Sequence, residues 1–152
     1  MRAVFASACL LLWAAALHAQ GSDSAAHALK WGPAPAVFPK GAQMAVARGD
    51  PGAADTFTVE LALPAGYQIP PHFHTTAETV KVKKGTFLVG MGDTLDVAKT
   101  KPMKPGASGT IPATHHHFAV AKTASVVSVT AMGPFAMTYV NPADDPQHVA
   151  SH

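Results

Sequence analysis

Apolar and polar positions along the chain follow the order of short β-strands. Phe57, Val59, Leu61 and Leu63 alternate with Thr56, Thr58, Glu60 and Ala62, and a period of two marks a strand with one buried face. The same reading places strands at Met44–Arg48, Glu78–Lys83, Thr86–Met91, Ser108–Pro112, Phe118–Lys122, Ser125–Met132 and Phe135–Val140. Turn residues stand between them: Gly49-Asp50-Pro51-Gly52, Pro64-Ala65-Gly66, Lys84-Gly85 and Gly92-Asp93, whose backbone preferences reverse a chain. Leu95–Lys104 fits a short helix or an irregular loop equally well. Nowhere does a helical apolar period persist for ten residues. Evenly spaced short strands of this kind predict an antiparallel sandwich or a small barrel.

The ends of the chain have a different character. Arg2, the apolar run Ala3–Leu17 and the small Ala19 have the shape of a secretory signal peptide over residues 1–19, too short to span a bilayer comfortably. Residues 20–37, rich in Ala, Ser, Gly and Pro, read as a flexible leader or N-terminal arm that docks from Trp31 onward. Residues 38–142 read as one β-domain, and residues 143–152 as a loose C-terminal tail. Cleavage after Ala19 leaves about 133 residues, enough for a single core. The expected location is periplasmic or secreted, with no stable membrane insertion after cleavage.

Losing the first 19 residues also removes Cys9, the only cysteine, which excludes a thiolate metal site and a cysteine nucleophile. Ten Lys and Arg then face nine Asp and Glu, and no run of like charge exceeds Lys83-Lys84. That pattern excludes a nucleic-acid footprint and a basic membrane-surface helix.

Candidate chemistry centres on Gly66–Gly85. His72 and His74, one residue apart on an extended segment, share a face. Glu78, Val80 and Val82 have the same parity, while Lys81 and Lys83 have the other, so the histidine face points inward. Glu60 and Glu78 are the only glutamates in the chain. Two imidazoles and a carboxylate on an inward face are costly to bury unless something binds them, and a metal ion is the usual partner. A second cluster, His115-His116-His117, cannot face one way on a strand: His115 and His117 share a face and His116 takes the other. His117 continues into Ala119 and Ala121, small residues that leave room for a pocket, and His116 into Phe118 and Val120, a packing surface that hints at a covering neighbour. The pocket implied by Val80, Val82, Phe87 and Val129 is apolar. With Arg48 the only arginine after cleavage, a small neutral or aromatic molecule suits it better than a highly charged one.

Together the two segments resemble the cupin superfamily. Gly66, His72, His74, Glu78 and Gly85 keep every spacing of its first motif. Gly106, Pro112 and His117 match the second, where Thr114 stands in place of a glycine and Ala121 in place of an asparagine. The resemblance implies an all-β, cupin-type jelly-roll barrel of antiparallel strands in a single domain. It also implies one metal held by His72, His74, Glu78 and His117. That donor set suits a divalent first-row transition metal: Fe, Mn, Ni, Cu, Co or Zn.

Three functions are open at this point. One is an exported mononuclear metal-dependent enzyme, an oxygenase or a lyase/isomerase, acting on a small, weakly charged molecule. Glu78 would then serve as proton acceptor, and His115 as a candidate for proton transfer or substrate orientation. The second is a non-catalytic cupin that binds a small ligand or senses metal. The third is a metal-stapled structural domain, able to form a homodimer. Tyr67 and Tyr139 could donate to a bound oxygen but better suit the core or rim, and Met91, Met132 and Met137 read as core filler.

Overall fold

A computed structural model describes residues 28–149. The expected signal peptide, the first part of the leader and residues 150–152 lie outside them. The strands are β1 (Gly32–Pro33), β2 (Gln43–Arg48), β3 (Thr56–Leu63), β4 (Gln68–Phe73), β5 (Glu78–Lys84), β6 (Phe87–Met91), β7 (Lys101–Met103), β8 (Ser108–Ile111), β9 (His117–Ala121), β10 (Ser125–Met132) and β11 (Thr138–Tyr139). They form a six-stranded sheet, β1-β2-β3-β10-β5-β8, and a five-stranded sheet, β11-β4-β9-β6-β7. Every pairing is antiparallel. This is the expected all-β roll. Among the described residues, no helix is long and apolar enough to cross a membrane.

The alternation in β3 does what its period requires. Phe57, Val59, Leu61 and Leu63 all enter the core, where they meet Val80 and Val82 of β5 and Ile69, Phe87 and Ala121 of the other sheet. Burying one such aliphatic or aromatic side chain stabilises the fold by about 1.5–3 kcal/mol. β10 lies between β3 and β5 and pairs along all eight residues of β3, which fixes the register of the larger sheet. The tight reversal at Gly85 admits no side chain: its φ is 82°, and a Cβ there would lie 2.4 Å from the Ala124 carbonyl oxygen.

Several stretches differ from the sequence reading. Leu95–Lys104 contains both a 3₁₀ turn, Val97–Lys99, capped by Asp96, and the edge strand β7. Pro102 is tolerated there because an edge strand leaves one row of donors unused. The strand expected over Phe135–Val140 shrinks to Thr138–Tyr139. The chain before it bonds instead to the loop after β2, through Gly133 N–H to Asp55 O (2.9 Å) and Phe135 N–H to Pro51 O (2.6 Å). Within the end read as a loose tail, Pro142–Asp144 and Pro146–Val149 form short helical turns.

Phe118 and Val120, opposite the histidine face of β9, are themselves buried, with the Phe118 ring lying on Gly90. The arm lies on the domain from just after Trp31. β1 pairs with β2, Phe38 enters the core, and two phenols hold the arm: Tyr67 donates to the Pro39 carbonyl and Tyr139 to the Val37 carbonyl (2.7 Å).

Candidate metal centre

One end of the roll gathers four polar side chains. His72 is in β4 and pairs across the sheet with His117, the first residue of β9. His74 follows the end of β4, and Glu78 opens β5 in the other sheet. The parity shared by His72, His74 and Glu78 therefore spans a turn between sheets, and all three side chains still face the interior. The link Thr114 N–H to His74 O (2.8 Å) ties the two histidine segments together. All four side chains are buried, His117 to 2% exposure.

Each ring is oriented by a backbone carbonyl. His72 Nδ1 donates to Pro70 O (2.8 Å), His74 Nδ1 to Ala136 O (2.7 Å) and His117 Nδ1 to His115 O (2.9 Å). A carbonyl can only accept, so each Nδ1 carries a hydrogen and each ring turns Nε2 toward the interior, where its lone pair is available to a metal ion whenever the ring is neutral. One donor atom from each of the three rings lies within 4.8 Å of the others. Oε1 of Glu78 is 2.9 Å from His117 Nε2, and Oε2 is 3.6 Å from His74 Nε2. Yet His117 Nε2 is buried with no hydrogen-bond partner. At 2.9 Å from a carboxylate oxygen, that nitrogen needs a positive charge to share with it, either a proton on Nε2 or a metal ion. Donors sharing one first-row ion at about 2.1 Å sit roughly 3.0–3.4 Å apart at common ligand angles. The two carboxylate–imidazole separations, 2.9 and 3.6 Å, are close to that spacing, and three imidazoles with one carboxylate are the donor types such an ion takes.

Protonation states agree. Burial, then the neighbouring His117 ring, brings His72 down to about 3, so it is neutral at physiological pH. Burial raises the Glu78 carboxyl, but a hydrogen bond from His117, and then positive charge shared with the His74, His117 and His72 rings, outweighs it and holds the group below the usual carboxylate range, so the site favours a carboxylate facing a cation. A neutral imidazole and an ionised carboxylate are the forms that bind metal.

Beyond the four donors lies a partly open cavity of about 80 Å³, lined by Ile69, Val80, Phe87, Val129, Phe38 and Phe135 among other apolar side chains. Val82, expected in this lining, is fully buried in the core and does not reach it. Sequence reasoning missed Phe135: its ring lies 5.5 Å from that of His74 and stacks on Phe38 at 6.0 Å. Its inward parity with Met137 and Tyr139 was the available signal.

Other candidates lie elsewhere. The His115 side chain, expected as a proton-transfer candidate, is exposed, its Nδ1 3.2 Å from Ala113 O. That residue reaches the site through its carbonyl, which orients His117. His116 points away, bonded to Asp93 (2.6 Å) and stacked on Phe73. The Tyr67 and Tyr139 hydroxyls face the arm, and burial pushes Tyr67 up to about 12 and Tyr139 upward as well. Met91 and Met132, expected as core filler, are 49% and 47% exposed because they end their strands, whereas Met137 lines the cavity.

No family model matches the chain, and no curated protein matches it. Solved structures do. An RmlC-like cupin from Shewanella frigidimarina NCIMB 400 superposes with a TM-score of 0.52 at 21% identity, over 60% of this chain and 76% of that one. The chain has a cupin fold. A provisionally assigned acetylacetone dioxygenase from Methylibium petroleiphilum PM1 matches at TM-score 0.59 and 22% identity, over 78% of this chain and 79% of that one. The polyketide cyclase RemF from Streptomyces resistomycificus gives 0.56 and 19%, over 73% and 79%.

In this cupin roll the motif glycines Gly66, Gly85 and Gly106 all have left-handed backbone, with φ of 80°, 82° and 91°. Thr114, in the position of the second motif's glycine, keeps the same conformation at φ 64°. The turn before His117 thus survives the substitution at the cost of strain in a β-branched residue.

Proposed function

We propose that this chain is an exported mononuclear metal cupin enzyme that acts on a small molecule in the apolar cavity. His72, His74 and His117 would hold the ion through Nε2, and Glu78 through its carboxylate. The carrying observation is the convergence of three buried imidazoles, each oriented by a backbone carbonyl, with one buried carboxylate at the end of the roll.

Bound there, the ion supplies a Lewis acid and a template for substrate oxygen. The chain does the rest. Backbone carbonyls of Pro70, Ala136 and His115 keep the rings from turning, which preserves the donor geometry between turnovers. Glu78, ionised and next to the cavity, can take a proton from a bound substrate at a carboxylate oxygen not engaged by the ion. The apolar wall excludes water from that transfer. Solved cupin folds that match this one include proteins named as a dioxygenase, a DMSP lyase, an oxalate oxidase and a polyketide cyclase, which supports an oxygenase or lyase/isomerase class. Export rests on the leader pattern of residues 1–19.

A second reading follows from the donor count. Four protein donors complete a tetrahedron, so with zinc the centre would be closed and structural. X-ray absorption on metal-loaded protein separates the two. Five or six light-atom neighbours, with exchangeable solvent among them, support the enzyme; four protein donors and no solvent overturn it.

A further inference from the structure

The charge of the cavity is unusually simple. Among the described residues that line it, Glu78 is the only carboxylate, and no lysine or arginine reaches it. Lys81 and Lys83 on the same strand alternate to the outer face, where Lys83 pairs with Glu60. If the metal-binding reading above holds, a divalent ion with three neutral imidazoles and one carboxylate leaves a net charge of +1. Every other wall, from Ile69 and Val80 to Phe87 and Phe135, is apolar. An unbalanced charge beside such an apolar lining is costly, because the buried donors leave little room for water around it and no side-chain cation or further carboxylate lines the cavity.

We propose that the cavity selects a small monoanion with an apolar body, its carboxylate or enolate oxygens toward His72, His74 and His117 and its hydrocarbon part against Ile69, Val80 and Phe135. A neutral ligand leaves the +1 uncompensated, and a dianion leaves −1 with no cation in reach. The small volume, about 80 Å³, holds only a handful of heavy atoms. Phe135, wedged between the His74 ring and Phe38, sets the length of the apolar body.

Three ligands of one skeleton test the charge rule: isobutyrate, its amide isobutyramide, and methylmalonate, in which a carboxylate replaces a methyl group. Titration calorimetry on the metal-loaded protein, at a pH where both methylmalonate carboxyls are ionised, reads the affinities without reference to any reaction. Isobutyrate is expected to bind at least about tenfold more tightly than either of the others. In water a chelating dicarboxylate holds the same ion more tightly than a monocarboxylate, so this order reports the apolar lining and not simple coordination. Met137→Lys, at a half-buried lining position, adds a cation and is expected to improve methylmalonate binding about tenfold relative to isobutyrate. Protein that takes up no metal overturns the metal centre and this inference with it. Metal-loaded protein that binds methylmalonate as well as isobutyrate, or none of the three, overturns the inference alone, as does an unchanged preference in Met137→Lys.

Discussion

Replacing Thr114 with glycine should make the protein more stable, although it removes a side chain. Thr114 holds φ at 64°, where a Cβ crowds the following carbonyl, and a non-glycine residue there costs about 1–2 kcal/mol. Its backbone N–H bond to His74 O (2.8 Å) survives the change. The hydroxyl bond to Ala113 O is local and exposed, so water replaces it at little cost. Against the relief stands the extra freedom of glycine in the unfolded chain, about 0.4–1 kcal/mol. The balance is a gain of about 0.5–1 kcal/mol, or roughly 2–4 °C in Tm. Urea unfolding of metal-free protein measures it, with Thr114→Val as the control that keeps the β-branched strain and loses the hydroxyl. Metal uptake should be unchanged in Thr114→Gly. A loss of about 1 kcal/mol or more in Thr114→Gly, or equal shifts in the two variants, would refute the reasoning.

Gly85→Ala should cost about 3 kcal/mol or more, since the new Cβ meets backbone at Ala124 and Ser125 as well as an unfavourable φ; a urea midpoint within error of the parent would contradict this. Tyr139→Phe leaves the Val37 carbonyl without its partner and should lower stability by about 1–2 kcal/mol. It should also speed tryptic cleavage at Lys40 while metal content stays constant, and an unchanged cleavage rate would show that this bond does not hold the arm. Metal-free protein should weaken in mild acid. His72 titrates near 3 in the fold against 6.5 unfolded, so between those values only the unfolded chain takes up the proton. Stability then falls below pH 6.5 by up to about 1.4 kcal/mol per pH unit. Glu78, lowered in the fold from 4.5, adds to the loss at still lower pH; equal urea midpoints at pH 7 and 5 would contradict a buried neutral His72.

Much of the roll is legible where a strand has one wet and one dry face. Phe57–Leu63 is such a case, and Ser125–Met132 has the bounds read from its sequence. The inward positions of His72, His74, Glu78 and His117 follow from the same parity, helped by the small Ala119 and Ala121 beside His117. Legibility fails where alternation reports which side chains are buried but not where the backbone bonds. Phe135, Met137 and Tyr139 alternate inward, yet only Thr138–Tyr139 pairs in a sheet, because the preceding N–H groups bond to the β2–β3 loop. Lys101–Met103 carries no apolar pattern, as an exposed edge strand needs none. The arm's attachment depends on Tyr139 and Val37, 102 residues apart, a contact that no local pattern encodes. His115 shares a parity with His117, but it precedes the strand, so the alternation does not extend to it.

The central claim is that four side chains from two distant segments share one cation. Metal stoichiometry and affinity in the parent, His117→Ala and His115→Ala proteins test it most directly. One ion per chain is expected in the parent, uptake at least about a hundredfold weaker in His117→Ala, and parental uptake in His115→Ala, whose exposed ring lies outside the cluster. Full metal affinity in His117→Ala, or its loss in His115→Ala, would contradict the account.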